Sequence, residues 1–368
     1  MRQVNAVRLV VRLALCAGIT LFLAELLLRV AEAGPVRSLQ YARPGAGGPG
    51  RGPFHPDQRF MDRFDPRRPY RIAVNSLGYR GEEISVEKPP GTVRIVALGG
   101  ANTFGRHVEG DDAWPARVGA MLRDRWEDRF VESINAGAPG LSLQDQIDHL
   151  EAGGLALDPD VIVAAWDAGP EGFGASSRTR GPAGQAEEPS PLYPLSARLR
   201  QTALFNTAGM VAGAARRALD SAARAGPVSP ACGRPLTPAG EEALAGDAAQ
   251  IRRLRRLAGH RGLPMVLMLI PCREQSALGA LPAAQDRLGA AARSEGVTVV
   301  DLLPAFRLRD PRGRKFFHAP GHASLTSRGH LCAADELGKA LAGILAADAP
   351  AEGATAPGGW PAQRDAAR

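Results

Sequence analysis

Cysteine is scarce in this chain of 368 residues, which contains only four. Cys16 lies inside a hydrophobic segment, and the wide spacing of Cys232, Cys272 and Cys332 matches no metal-binding motif. Those last cysteines allow at most one internal disulfide, and their spacing selects no pair. We therefore expect neither a metal site nor a cofactor, and no dense disulfide framework.

Lysine is scarcer still, since the chain contains only Lys88, Lys315 and Lys339. The formal net charge of +7 therefore comes almost entirely from arginine. The bias toward arginine, alanine, glycine and proline is typical of a GC-rich genome. Basic and aromatic residues do not interleave as they do along a nucleic-acid groove. The composition therefore predicts no nucleic-acid partner, and the chain contains no internal repeat.

One long apolar run is present, from 13 to 28, interrupted only by Glu25 and preceded by Arg2, Arg8 and Arg12. A helix over this run is slightly short for a ~30 Å hydrocarbon core, but flanking arginines extend it by reaching into the headgroup region. The basic flank predicts a single-pass anchor in a bacterial cell membrane, with the N-terminus in the cytoplasm and the main domain in the periplasm.

A cleaved signal peptide is the alternative, because Ala31-Glu32-Ala33 fits a small-x-small cleavage site before Gly34. A carboxylate late in the apolar run is unusual for a signal peptide. In a retained helix, Glu25 and Arg29 are four residues apart and form an ion pair. We therefore favour the uncleaved anchor.

The composition changes along the chain and divides it into segments. A stretch rich in glycine, proline and arginine reads as an irregular tether, and an Ala/Pro/Gly-rich end reads as disordered. The predicted segments are an anchor at 1–33, a linker at 34–70, a main domain at 71–347 with a helical insertion at about 175–262, and a disordered tail at 348–368.

Short apolar runs alternate with helical patterns in the main domain, which predicts an α/β three-layer sandwich around a five-stranded parallel sheet. The expected strands are 93–98, 130–134, 161–165, 265–270 and 297–302. The expected helices start near Asp112 and span 142–152, 195–222, 237–260 and 328–346. The arginines of 252–256 lie on the fourth of these helices, as a solvated face or as a contact to anionic lipid.

Ligands of open parallel sheets bind beyond the carboxyl ends of the strands. The candidate segments are therefore 99–105, 135–140, 166–173, 271–275 and the loop 303–324. Glycines concentrate in these segments. Each one alone is accounted for by a tight turn, but their common edge favours a present or former site.

Several blocks in this order carry a family resemblance, among them NSLGYRG, KPPGTVRIVALGGANTFG, NAGAPG, LDPDVIV and LTSRGH. Over most of 14–345 the chain resembles the SGNH/GDSL hydrolases, in particular the membrane-tethered bacterial members. The resemblance implies a flavodoxin-like α/β/α fold. It also implies a serine nucleophile, an oxyanion site built with a glycine and an asparagine, and an Asp-x-x-His pair.

Of the positions that correspond to this machinery, only the glycine is retained, and the others lack the family's side chains. The serine position is Ala101, the glycine is Gly137, and the asparagine falls at Ala168 or Gly169. The LTSRGH block places the aspartate at Gly321 and the histidine at Ser324.

His322 lies two residues before the histidine position, and a local shift that brings it into register would put Ala319 at the aspartate position. A thiolate at Cys272 with His322 as its base is a conceivable substitute, although a half-buried structural cysteine is the commoner role. Asp167 and Glu171 are candidate carboxylates.

Asn102 and His330 are interpreted as structural: Asn102 as a turn cap and His330 as a packed helix residue.

The sequence thus predicts a degenerate SGNH-like protein that acts by binding an envelope glycan or an acylated polymer. A working esterase or acyltransferase with a rearranged site is the alternative, and a membrane-held scaffold is the third. The sequence leaves the oligomeric state open.

Overall fold

The computed structural model describes residues 16, 19–24, 39, 42, 48–62, 70–126, 129–169, 236, 238–276, 283–318 and 324–347. Its strands are β1 Arg59–Asp62, β2 Tyr70–Ala73, β3 Thr92–Leu98, β4 Phe130–Asn135, β5 Val161–Asp167, β6 Met265–Ile270 and β7 Thr298–Asp301. Its helices are α1 Ala101–Phe104, α2 Trp114–Arg125, α3 Leu143–Ala152, α4 Pro238–Gly259, α5 Arg273–Ser276, α6 Ala283–Ser294, α7 Leu303–Arg309 and α8 Ser327–Ala347.

The main sheet has five parallel strands in the order β4-β3-β5-β6-β7. This order is the flavodoxin-like one, so the predicted parallel sheet is confirmed. Every side chain of β5 and β6 is buried. Such continuous apolar strands form because helices cover both faces of a parallel sheet.

Two hydrophobic clusters lie on opposite faces of the sheet, because successive side chains of a strand point to opposite sides. Val96 and Leu98 of β3 face α3, α4 and α6, whereas Ile95 and Ala97 face α2, α7 and α8. Each large apolar side chain that is fully buried in this way contributes about 1.5–3 kcal/mol. The sheet therefore sits as the middle layer of a three-layer sandwich.

A third apolar cluster covers one end of the sheet and corrects the expectation of an irregular tether. Phe54 is 2% exposed and packs edge-on against Phe104 with ring centroids 5.6 Å apart. β1 pairs with β2 in an antiparallel ribbon. Residues 48–62 are therefore folded, because Phe54 buries its ring against Phe104, which follows β3, and β1 pairs with β2.

Other expectations fall partly outside the described residues. Residues 19–24 are helical, and none of the helices among the described residues is long and apolar enough to cross a membrane. The expected helix at 195–222 and the tail at 348–368 lie outside the described residues. Part of the expected loop 303–324 is helical as α7, because Leu303 and Phe306 bury one turn of it.

Candidate functional site

The candidate site lies where the strands end, on the carboxyl edge of the sheet. Ala101, where the resemblance expects a serine, is the first residue of α1 and directly follows the Gly99-Gly100 turn after β3. Its methyl group is nearly buried, at 5% exposure, and it provides no nucleophile. Gly137, Gly169 and Cys272 follow β4, β5 and β6, so the predicted clustering at one edge is confirmed.

The residue after Ala101 joins three segments of this edge. Asn102 donates from Nδ2 to Oδ1 of Asp167, the last residue of β5, over 2.8 Å. Its Oδ1 accepts the backbone N–H of Leu325 over 2.8 Å. Asn102 is 6% exposed, and no side chain caps α1. The expected turn cap is thus wrong, because both ends of this buried amide bond to distant segments instead of to its own turn.

Asp167 also lies close to the start of the α1 turn. A Cβ placed on Gly100 would lie 3.4 Å from Oδ2 of Asp167. The carboxylate is 6% exposed and stands at the end of a strand that is buried along its whole length. Asp167 therefore belongs to the site, as the sequence suggested, with Asn102 as a partner that the sequence did not indicate. Glu171 lies outside the described residues.

Gly137 is retained for a reason other than an oxyanion hole. Its N–H donates to Oδ1 of Asn135 over 3.0 Å, which occupies the donor. A Cβ at this position would lie 2.3 Å from the backbone nitrogen of Phe104 and 2.7 Å from the carbonyl carbon of Thr103. Glycine is required here because the α1 backbone passes against it.

The asparagine position has no amide side chain. The Ala168 N–H donates to the Ile270 carbonyl over 2.9 Å and so extends the ladder between β5 and β6. Gly169 follows and is buried. Ala168 therefore serves the backbone of the sheet edge, and neither residue at this position offers a side-chain donor to an oxyanion.

Ser324, the position of the family's histidine, is buried at 6% exposure, and its carbonyl accepts the His318 N–H over 3.0 Å. Its Oγ makes no hydrogen bond within the described part of the chain. Gly321 and His322 lie outside the described residues. Ser324 thus brings a buried hydroxyl to the position where the resemblance expects the histidine.

Cys272 is disulfide-bonded, and its sulfur therefore has no proton to lose and cannot serve as a thiolate. Cys16 and Cys332 are the free cysteines among the described residues. Cys272 is 4% exposed, and its N–H donates to Oε1 of Gln275 over 3.0 Å. The substitute nucleophile considered from sequence is thus wrong, since the sulfur is committed to a covalent bond.

Arg80, in the NSLGYRG block, was missed by reasoning from sequence. It is 4% exposed and donates to the carbonyls of Phe104, Gly105 and Val108, with distances of 2.6 Å to Gly105 and 2.8 Å to Val108. Its guanidinium carbon also lies 4.4 Å from the Phe104 ring centroid. A buried cation thus holds the loop that follows α1, which only the folded chain brings to it.

Histidines gather beside this loop. His107 has a left-handed φ of 69°, and its ring lies 5.6 Å from that of His318. His330 is fully buried and accepts the Trp114 N–H at Nδ1 over 3.3 Å, as expected for a packed position. Burial, followed by the nearby charges of Arg80, Arg117 and His318, lowers the pKa of His330 to about 3. His330 is therefore neutral at physiological pH.

Within the described ranges, no three histidine, cysteine or carboxylate side chains are arranged to hold a metal ion. Asp301, at the end of β7, is half-buried, and burial raises its pKa. It accepts from Nε2 of Gln285 over 2.8 Å and from the Leu303 N–H over 3.0 Å. These bonds tie Asp301 to α6 and to the first turn of α7.

No protein-family model and no curated protein matches the chain. Solved structures similar to it include a protein described as lipolytic and of the G-D-S-L family, from Desulfitobacterium hafniense, with 13% identity, coverage of 67% of this chain and 98% of that one, and a TM-score of 0.38. A lipase/acylhydrolase from Enterococcus faecalis has 15% identity, coverage of 68% and 96%, and a TM-score of 0.40. An acetyl xylan esterase has 13% identity, coverage of 68% and 100%, and a TM-score of 0.40.

Proposed function

We propose that this chain is a membrane-anchored, extracytoplasmic SGNH/GDSL-like domain that binds its ligand without forming a serine acyl-enzyme. The ligand class that we propose is an envelope glycan or an acylated polymer, bound at the carboxyl edge of the sheet. Two kinds of observation support this: the ordered sequence blocks that resemble the family, and the side chains present at that edge.

The bridge from Asp167 through Asn102 to Leu325 is the observation that carries the proposal. It connects the segments on which the family carries its serine, its asparagine and its histidine. Ala101 has no hydroxyl, and the Gly137 N–H is engaged by Asn135. These hydrogen bonds tie the edge together, and an edge where Ala101 offers no nucleophile and the Gly137 N–H is already engaged suits binding better than acyl transfer.

The extracytoplasmic location is supported by Cys272 and by the N-terminal helix. Disulfides persist in oxidising compartments such as the periplasm, and Cys272 is disulfide-bonded. In the helical residues 19–24, Ile19 is 52% and Phe22 is 68% exposed. Exposed apolar side chains on a helix lose contact with water when the helix enters a bilayer. Both features agree with an anchor whose main domain lies outside.

Labelling with a serine-directed fluorophosphonate tests the chemistry. The wild-type chain should neither label nor hydrolyse an activated acyl ester above background. Ala101→Ser should also remain inactive, because a hydroxyl without a base is a weak nucleophile. The triple variant Ala101→Ser, Gly321→Asp, Ser324→His should gain measurable labelling if the backbone has kept the family's geometry.

Ester hydrolysis by the wild-type chain would contradict the proposal. Because the Cys272 sulfur is held in a disulfide, such activity would have to come from another nucleophile. Binding is measured by calorimetry with partially O-acetylated xylan and the same polymer after deacetylation. Equal absence of binding to both would count against an acylated glycan as the ligand.

A further inference from the structure

The end of α7, the loop 310–316 and the first turns of α8 form a surface with an unusual composition. Leu308 is 82% exposed and Leu331 is 43% exposed. Arg312, Arg314 and Lys315 are exposed between them in sequence, and Arg328 is exposed one turn before Leu331. We call this surface the Leu308 patch.

Described contacts bring these segments together. The hydroxyl of Thr326 donates to the Lys315 carbonyl over 2.6 Å, which sets the start of α8 against the loop. Arg309 pairs with Asp335 over 3.1 Å and with Glu336 over 3.0 Å, which sets the end of α7 against α8. The Leu308 patch is therefore one continuous surface.

The carboxylates near the patch are already committed. Asp310 is 2% exposed and accepts the backbone N–H groups of Arg314, Lys315 and Phe316 over 2.8–3.1 Å. Because the loop is held through its backbone, the side chains of Arg312, Arg314 and Lys315 point into solvent. Asp335 and Glu336 pair with Arg309. The patch thus combines a highly exposed leucine with cations that form no ion pair within the part of the chain that the structure describes.

We propose that the Leu308 patch docks on the anionic surface of a lipid bilayer, with Leu308 inserted at the level of the acyl chains. An exposed apolar side chain among arginines and lysines matches the chemistry of interfacial binding, since the apolar group leaves water while the cations meet lipid phosphates. A soluble polyanion would use the cations but would leave Leu308 in water. The inference rests on the proposed membrane anchoring, which would hold the patch within reach of the bilayer.

Docking would also orient the candidate site. Leu325 contributes its N–H to Asn102, and Thr326 beside it contacts the loop of the patch. The carboxyl edge of the sheet therefore adjoins the docked face, and a bound ligand would lie close to the membrane surface. An acylated polymer that emerges from the bilayer would meet the site there.

A fluorescent probe at position 308 tests the docking. The full-length variants Cys16→Ser, Cys332→Ser, Leu308→Cys and Cys16→Ser, Cys332→Ser, Phe130→Cys are labelled with the polarity-sensitive dye NBD and reconstituted into vesicles. Phe130 is a matched control, because it is 56% exposed and lies near Arg123 but stands at the amino end of β4. In phosphatidylglycerol vesicles the 308 probe should shift to the blue and be quenched by brominated lipid, whereas the 130 probe should not. In phosphatidylcholine vesicles neither should respond.

A charge-matched comparison tests the cations. The triple change Arg312→Gln, Arg314→Gln, Lys315→Gln should weaken the 308 response roughly fivefold for each cation removed. The same charge removed from α4, by Arg252→Gln, Arg255→Gln, Arg256→Gln, should leave it unchanged. A response that follows the α4 triple instead, or a 308 probe that stays in water with phosphatidylglycerol, overturns the proposal. The proposal is also overturned if the emission of the 308 probe shifts to the blue with soluble polyglutamate but not with vesicles.

Failure of the anchor is recognised separately. A chain that does not remain with phosphatidylcholine vesicles lacks the proposed anchor, whatever the 308 probe reports. Its binding to phosphatidylglycerol vesicles by co-sedimentation then measures the Leu308 patch alone. Loss of that binding at 0.5 M salt is expected, because the attraction between the cations and the lipid surface is screened.

Discussion

The two ends of the parallel sheet bury polar groups in opposite ways. At the amino end, Arg94 is completely buried and pairs with Glu132 over 2.5 Å, while its other nitrogens donate to backbone carbonyls, among them those of Val86 and Leu157. At the carboxyl end, the mapped catalytic positions hold alanine, glycine and serine. The amino end is therefore a charged network centred on Arg94, and the carboxyl end is an edge of small residues that the Asn102 amide bridges to Asp167 and Leu325.

This difference assigns stability to the amino end of the sheet and ligand binding to the carboxyl end. Removing one partner from a buried ion pair is costly, so the amino end tolerates little change. The carboxyl end of an open α/β sheet is where ligands bind. Substitutions at the two ends measure whether they differ as much in their contribution to the free energy of unfolding as they do in chemistry.

The largest effect is expected at the amino end. Arg94→Met should lower the free energy of unfolding by about 3–5 kcal/mol, because Glu132 would be left without its buried counter-ion. Urea denaturation followed by circular dichroism measures the change. Arg252→Met on the exposed face of α4 is the control, with an expected change within about 0.5 kcal/mol. A loss below about 1 kcal/mol for Arg94→Met would remove the contrast between the ends.

The next effect concerns close packing at the carboxyl end. Gly137→Ala should destabilise the fold by about 1–3 kcal/mol, because its Cβ would collide with the α1 backbone at Thr103 and Phe104. Thermal unfolding monitors the change. Gly110→Ala is the control, since a Cβ there meets nothing within 4 Å. Equal melting temperatures for the two variants would show that α1 can move away from Gly137.

The hydrogen bonds of the Asn102 amide should contribute a similar or smaller amount to the free energy of unfolding. Asn102→Leu removes the donor to Asp167 and the acceptor of the Leu325 N–H, and the expected loss is about 1–3 kcal/mol. Asn102→Asp sharpens the test, because it places a second carboxylate beside Asp167. Its stability in urea should rise as the pH is lowered from 7 to 5, relative to Asn102→Leu. Parallel pH profiles would mean that the two side chains do not face each other in solution.

The smallest effect is a pH dependence from His330. The unfolded chain binds a proton at this histidine near pH 6.5, but the folded chain binds it only near pH 3. Between these values the unfolded state holds more protons, so the free energy of unfolding falls as the pH drops below about 6.5. The expected loss is about 1.4 kcal/mol per pH unit.

Measuring the pH dependence of His330→Gln isolates this contribution. The variant should show a shallower decline in stability from pH 6.5 to 5 than the wild-type chain. His260→Gln on an exposed turn is the control and should leave the slope unchanged. An identical slope for His330→Gln and wild type would mean that the ring is protonated in the folded protein.

The sheet could be predicted from sequence because its signals are local. β5 and β6 are uninterrupted apolar runs, and such runs between helical patterns specify buried parallel strands. The same reasoning placed Ala101, Gly137 and Cys272 on one edge, because the carboxyl ends of parallel strands meet there. It failed for 48–62, where Phe54 becomes buried only because distant Phe104 packs against it.

The candidate site divides in the same way. The sequence by itself determined that Ala101 cannot act as a nucleophile, because the chemistry of a side chain is independent of the fold. Only the tertiary structure decided that Asn102 bonds to Asp167 and Leu325, residues separated from it by 65 and 223 positions. It also decided that Arg80 holds the loop after α1 and that Cys272 is engaged in a disulfide. These pairings depend on which segments the sheet brings side by side, and no local pattern of residues encodes that proximity.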